Sequence, residues 1–307
     1  MNAMTQILMI FVWIAAGLLL RRARVPAGAF ALVNRFIIWF SLPAVVLLAL
    51  HALRWEASYW VPVSMAWIVF GASAALFATA GRIYGWSSRT VGALVMTAGL
   101  GNTSFLGFPL LRALYGEGAL KVAVLADQPG SFLVLATLGL LAASYFSSGR
   151  ASPGAVLGRM LKFPPMWALI AALLLRPVAF PGAVETFLRL GGKTLVPLAL
   201  ISVGGALNFD RRLLGRERRP LVLGLLYKLV LAPLGMALLL VVVLHQRGEA
   251  VRITLLEAAM GPMITGAIVA EEHGLDAELS SLMVSVGVPL CLITVPLWAK
   301  LLEYLVV

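Results

Sequence analysis

Two stretches of this chain set hydrogen-bonding residues beside residues that break helices. The first reads LGNTSFLGFPLLRALYGEGAL, from Leu100 to Leu120, and the second MGPMITGAIVAEEHGLDAEL, from Met260 to Leu279. Gly99, Gly101, Asn102, Thr103, Ser104, Gly107 and Pro109 crowd the first; Gly261, Pro262 and Gly266 mark the second. Pro109 cannot donate to the carbonyl four residues back, and glycine lowers helix propensity. A helix broken this way exposes a half-helix end whose N–H groups lack partners and carry partial positive charge. Such an end binds carboxylates. Asn102, Thr103 and Thr265 add side-chain hydrogen bonds at the same level. The expected substrate-binding set is therefore Gly101, Asn102, Thr103, Gln128, Gly261, Pro262 and Thr265, with Gly107 and Pro109 as helix-breaking residues. The competing reading is that Gly and Pro only permit close packing or a kink. Recurrence of the break at equivalent positions counts against it.

Three charged residues fall inside apolar runs. Asp127 lies in AVLADQPGSF beside Gln128 and Pro129, Glu257 one turn before Gly261, and Lys228 within a third run. A charge in hydrocarbon is costly unless paired or hydrated, so each is a candidate for ion coupling. A carboxyl at that depth can hold a proton, which makes Asp127 or Glu257 a candidate carrier. Packing hydrogen bonds for the two carboxyls, and a structural counter-ion role for Lys228, remain open alternatives. Asn34, in LVNRFIIWF, reads as an inter-helix hydrogen bond rather than a ligand, and Arg35 can snorkel to an interface.

The elements that must position these residues are membrane spans. Of 307 residues, 61% are hydrophobic and 12% charged, whereas a soluble domain carries about 25% charged residues. Lipid is therefore the expected solvent for most of the surface. One Cys, Cys291, excludes a disulfide framework, and the three scattered His leave no metal site to expect. The net charge of +11 reads as basic cytoplasmic loops, not as nucleic-acid binding. Ten apolar runs approach the length that crosses a bilayer: Met4–Leu20, Phe30–Leu50, Tyr59–Ile83, Val91–Leu114, Leu120–Phe146, Pro164–Leu175, Phe187–Leu207, Leu221–Leu244, Ile253–Ala270 and Leu279–Tyr304. The sixth is short and needs Pro177 to Pro181 to complete it. Trp55, Tyr59 and Trp60 start the third and Tyr84 and Trp86 end it, as an aromatic belt does. Arg21, Arg22 and Arg24 follow the first run, which suits a first span rather than a cleaved leader.

The predicted architecture is an all-α membrane protein of ten spans in two inverted five-helix repeats, with spans four and nine broken and crossing. Residues 1–146 form the first repeat, 164–307 the second, and 147–163 a cytoplasmic connecting loop, all within one polytopic transporter over 1–307. The two broken stretches match at an offset of about 160 residues, and so do spans one and six. Five spans per half make the copies opposite in orientation. Loops placed inside by this scheme hold the larger share of Lys and Arg, with Arg211, Arg212, Arg216, Arg218 and Arg219 as the densest cluster. That bias puts both termini outside, in a bacterial inner membrane. Binding of anionic lipid is a second reading of the cluster.

These residues resemble the auxin efflux carrier family over essentially the whole chain. The most specific piece is GNTSFLGFPLLRALYG, from Gly101 to Gly116. LVNRFIIWFSLPAVVL, ADQPGSF, LEAAMGPMITGAIVAEEHGL and LITVPLW add to it. The resemblance implies the fold shared by bile-acid-type symporters and sodium/proton antiporters. Spans one, two, six and seven would form a scaffold, and the other six a core that moves like an elevator. It implies export or import of small organic anions; bacterial relatives are proposed to carry malonate and other carboxylates. The family's crossover Asn maps onto Asn102 and its span-five Gln onto Gln128. Span three, from Trp60 to Ala80, lacks the charged support residues of plant carriers, and the long plant cytoplasmic loop is absent.

The expected activity is secondary transport of a small organic carboxylate, without a cofactor and with proton or sodium coupling open. Substrate and membrane lipid are the expected partners, together with a homodimer through the scaffold helices. An anion channel or an intramembrane enzyme are the alternatives. No Gly-x-Ser-x-Gly, His-Glu-x-x-His or Asp-rich pair supports an enzyme, and paired breaks favour alternating access over a channel.

Overall fold

A computed structural model describes residues 3–51, 56–148, 164–175, 178–208 and 218–306. Arg54, Trp55, Pro177, Arg211, Arg212, Arg216 and most of the 147–163 loop lie outside these residues. Among the described residues the chain is all-α, with no sheet.

Among the described residues, six helical runs are long and apolar enough to cross a membrane: α2 (Gly28–His51), α3 (Ala57–Tyr84), α6 (Ala119–Ser148), α8 (Gly182–Ala206), α9 (Arg218–Val243) and α12 (Ala277–Leu305). α1 (Ala3–Arg22) precedes them, and the shorter α7 (Pro164–Leu174) lies between α6 and α8. Two further stretches are each divided in two. Span four of the sequence becomes α4 (Ser88–Ala98) and α5 (Phe108–Tyr115); span nine becomes α10 (Glu249–Ala258) and α11 (Ile264–Glu272).

The helix ends follow from local chemistry. Ser87 caps α4 by accepting the Thr90 N–H at 3.1 Å, and Asp276 caps α12 by accepting the Leu279 N–H at 3.1 Å. Thr90 Oγ1 also donates to Asp276 at 3.1 Å, so the two caps hold each other. Gly116 and Gly274 follow α5 and α11 with φ of 79° and 67°, positive values that glycine adopts without strain.

The helices pack in two groups. In one, α1 lies along the second half of α8, and α2 takes both α7 and the first half of α8. Backbones touch where α1 meets α8: a Cβ on Gly17 would lie 2.0 Å from the Ile201 carbonyl oxygen, and one on Gly204 2.0 Å from that of Ile14. Small residues bring helices this close in lipid, where packing rather than water exclusion drives association. Asn34 accepts from Ser202 Oγ between α2 and α8, so it serves as the inter-helix bond read from its sequence. The other group, α3 to α6 with α9 to α12, surrounds the two broken stretches. Leu94, Met96, Leu100, Leu106 and Leu111 are fully buried there.

Candidate substrate and coupling site

The two broken stretches cross and bond through their backbones. Gly101 and Pro262 form an antiparallel bridge. The Asn102 N–H donates to the Gly261 carbonyl at 2.8 Å, and the Met263 N–H to the Leu100 carbonyl at 3.1 Å. Extended backbone at this depth needs such internal partners, because lipid offers none. Past the crossing, a wide π turn over Thr103–Gly107 leads into α5, and α11 opens at Ile264. The first N–H groups of both half-helices, from Thr103 and from Ile264 onward, therefore begin at the crossing without intrahelical acceptors.

Polar side chains from five elements lie around it. Asn102 is 4% exposed and its Nδ2 has no hydrogen-bond partner. Thr103 Oγ1 donates to Asp127 Oδ1 at 2.5 Å, and Gln128 Nε2 to Asp127 Oδ2 at 2.6 Å. Gln128 Oε1 is left without a partner. Asp127 thus ties α6 to the π turn, with both its oxygens engaged. Glu257 is the contrary case: it is fully buried, and neither carboxylate oxygen has a partner. Its carboxylate lies against Gly107, where a Cβ would be 2.5 Å from Oε2. Lys228 is buried on α9 and donates to the Ala258 carbonyl at 3.1 Å. That carbonyl ends α10, so the ammonium faces the negative end of a helix dipole. Thr265 is half-buried in the first turn of α11.

Several sequence expectations need correction. Gly261 was expected to offer its N–H to a ligand, but that N–H donates to Cys291 Sγ at 3.0 Å. Pro109 does not interrupt the chain. It occupies the first turn of α5, where a missing N–H costs little, and the wide turn lies just before it. Gly266 lies within α11, not at the break. A Cβ there would be 2.6 Å from the Met96 carbonyl oxygen, so this glycine lets α4 pass close.

Three contributors escaped the sequence reading. Cys291 anchors the crossing from α12. Trp67 Nε1, in the charge-free stretch of α3 from Trp60 to Ala80, donates to the Pro129 carbonyl at 3.1 Å. That carbonyl lies in a third interruption, over Asp127–Phe132 in α6, where Gly130 leaves helical geometry (φ −89°, ψ −105°). Pro129 and Gly130 carry the same sequence signal, adjacent helix-weakening residues, that marks the other two breaks.

A family model for membrane transport protein matches residues 2–299. The chain belongs to this family. It is a family of transporters, not of enzymes, and it takes in the auxin efflux carriers. Over 217 residues the chain is 34% identical to an uncharacterized transporter of Methanothermobacter thermautotrophicus, covering 70% of this chain and 69% of that one. Over 321 residues it is 25% identical to a probable auxin efflux carrier component 5a of rice, covering 86% and 85%. The uncharacterized transporter YfdV of Escherichia coli K12 is 26% identical over 209 residues, covering 66% and 65%. As a member of the family, the chain is a multi-pass membrane protein that works in transmembrane transport.

Proposed function

We propose that this transporter moves a small organic carboxylate across a bacterial inner membrane by an elevator-type alternating-access motion. The observation that carries the reading is the crossing: two half-helix ends with free N–H groups meet beside the unpartnered amide of Asn102. A carboxylate there would accept from the N–H groups at Thr103 and Ser104, and from the Asn102 amide. Thr265 and the first turn of α11 complete its surroundings, and Gln128 on α6, its Nε2 given to Asp127, leaves Oε1 open to a donor such as a hydroxyl or protonated carboxyl of the cargo. Malonate is the first substrate to test.

The reading includes ten spans in two inverted repeats, 1–146 and 164–307. Loop positions support it. Ser88 and Ser147 donate to the carbonyls of Phe146 and His273, gathering three alternate loops at one end of the bundle. Arg247 and Arg252 donate to the carbonyls of Leu305 and Val306, which joins a different loop to the chain's last turn. The matched ends at Gly116 and Gly274 support equivalence of the two halves. In this scheme α1, α2, α7 and α8 are the scaffold, with a homodimer through their outer faces, and both termini lie outside.

Coupling is to protons through Glu257, because its carboxylate has empty hydrogen-bond positions on both oxygens while those of Asp127 are taken. The test of the whole reading is uptake by proteoliposomes. Saturable malonate uptake with counterflow supports a carrier; flux that neither saturates nor exchanges refutes it.

A further inference from the structure

Away from the crossing, a cavity of about 570 Å³ opens between α2 and α8 on one side and α5 and α6 on the other. That volume is in the range of small-molecule sites. Arg112 and Glu117, near the end of α5, line it, as do Glu185 and Arg189 on α8. These four charges neutralise one another in two ion pairs, Arg112 with Glu117 and Arg189 with Glu185. Two further cations line the same space, Lys121 on α6 and Lys193 on α8. Both are exposed, and neither has an ion pair among the described residues. The cavity therefore holds a net positive charge, supplied from both groups of helices. His51 closes one side: it bonds to the Val178 carbonyl at 2.7 Å and stacks on Phe180 with ring centroids 3.9 Å apart.

We infer that this cavity is a second anion site, which takes a compact anionic group between Lys121 and Lys193. The group belongs either to a dissolved dicarboxylate or to the headgroup of an acidic phospholipid. The site is separate from the crossing and does not rest on the reading of Asn102. Its position gives it a consequence. Lys121 belongs to the helices around the crossing and Lys193 to the α1–α2–α7–α8 group, so an anion held by both restrains sliding between them.

A cysteine probe in the wall tests this. Ala179 is exposed and lines the cavity, and the native Cys291 is buried, so Ala179→Cys gives a single reactive site and the unsubstituted protein gives the blank. Labelling rates are compared for a sulfonate-bearing and a trimethylammonium-bearing methanethiosulfonate. The anionic-to-cationic rate ratio should fall roughly tenfold when Lys121→Gln and Lys193→Gln are added, since two unit charges at short range act on both reagents with opposite sign. An unchanged ratio overturns the site. In phosphatidylcholine vesicles, protection by millimolar malonate that the Gln variants lose identifies a dissolved anion. Slower labelling after adding phosphatidylglycerol, again only with both lysines present, identifies a lipid headgroup. Malonate protection should persist in Asn102→Ala; its loss there would overturn an independent second site while leaving the crossing intact as the binding site.

Discussion

Asn102→Ala isolates the amide at the crossing. The backbone of Asn102 does the structural work: its N–H goes to Gly261 at 2.8 Å, and its carbonyl accepts from Gly107 at 3.0 Å. Alanine keeps both bonds, and the backbone angles (φ −81°, ψ 65°) suit any residue. Only the side-chain amide is lost, and in the unliganded protein its Nδ2 bonds to nothing. A buried donor without a partner costs about 1–3 kcal/mol. The substitution should therefore leave thermal stability unchanged or raise it. With a carboxylate bound, the same amide makes a charge-assisted hydrogen bond worth about 1.5–3 kcal/mol. Its loss weakens affinity roughly ten- to a hundredfold, since 1.4 kcal/mol is a factor of ten. Thermal shift in detergent would first choose the ligand from a carboxylate panel, at two pH values and with and without sodium. Calorimetric titration would then give the dissociation constants. Wild-type affinity in a well-folded Asn102→Ala protein would falsify the placement of substrate at this crossing. A less stable protein with unchanged affinity would show that the amide bonds within the fold, and would refute the reasoning from the other side.

Glu257→Gln should flatten the pH dependence of proteoliposome uptake, because an amide cannot exchange the proton; Asp127→Asn should keep that dependence and change substrate affinity by less than about tenfold, since a neutral mimic keeps the local hydrogen bonds. The reverse pattern would move the carrier to Asp127. Gly107→Ala places a Cβ 2.5 Å from Glu257 Oε2, and overpacking of this kind costs about 1–3 kcal/mol. Adding Glu257→Ala should restore thermal stability, and a double variant no more stable than Gly107→Ala alone would refute the contact. A cysteine placed between Arg211 and Arg219 should react in intact cells only with membrane-permeant reagents; labelling by an impermeant one reverses the orientation.

How far the fold was legible depends on the range of the interaction that sets each feature. The spans were readable because hydropathy acts on each helix separately: α2, α3, α6, α8, α9 and α12 each declare themselves by length and composition. The half-helices were readable because Gly and Pro weaken a helix wherever they fall. What each Gly or Pro then does was not readable, because the partner decides it. Gly101 pairs with Pro262, Gly107 receives the Glu257 carboxylate, and Gly266 lets the Met96 carbonyl approach. Three residues with one local signal have three different neighbours, all distant in sequence. The same holds for Gly261, whose N–H was assigned to a ligand because nothing nearby in sequence reveals that Cys291 lies beneath it.

The unsatisfied atoms draw the line between support and function. Six buried side-chain atoms among the described residues lack a hydrogen-bond partner, and four of them belong to Asn102, Gln128 and Glu257. Folding alone would select against that concentration, since each such atom costs free energy and an apolar side chain of similar shape would not. The neighbouring polar groups show that the fold can satisfy such atoms here: Asp127 has both oxygens bonded, Lys228 has a carbonyl, and the Gly261 N–H has a sulfur. On the proposed reading, the atoms left unsatisfied are the ones whose partners come and go: an anion for the Asn102 Nδ2, a hydrogen-bond donor for the Gln128 Oε1, and a proton for the Glu257 carboxyl. A transporter needs such positions. A site fully satisfied when empty would gain too little from its cargo to change shape around it, because a ligand moves an equilibrium only by its differential interaction with the two states.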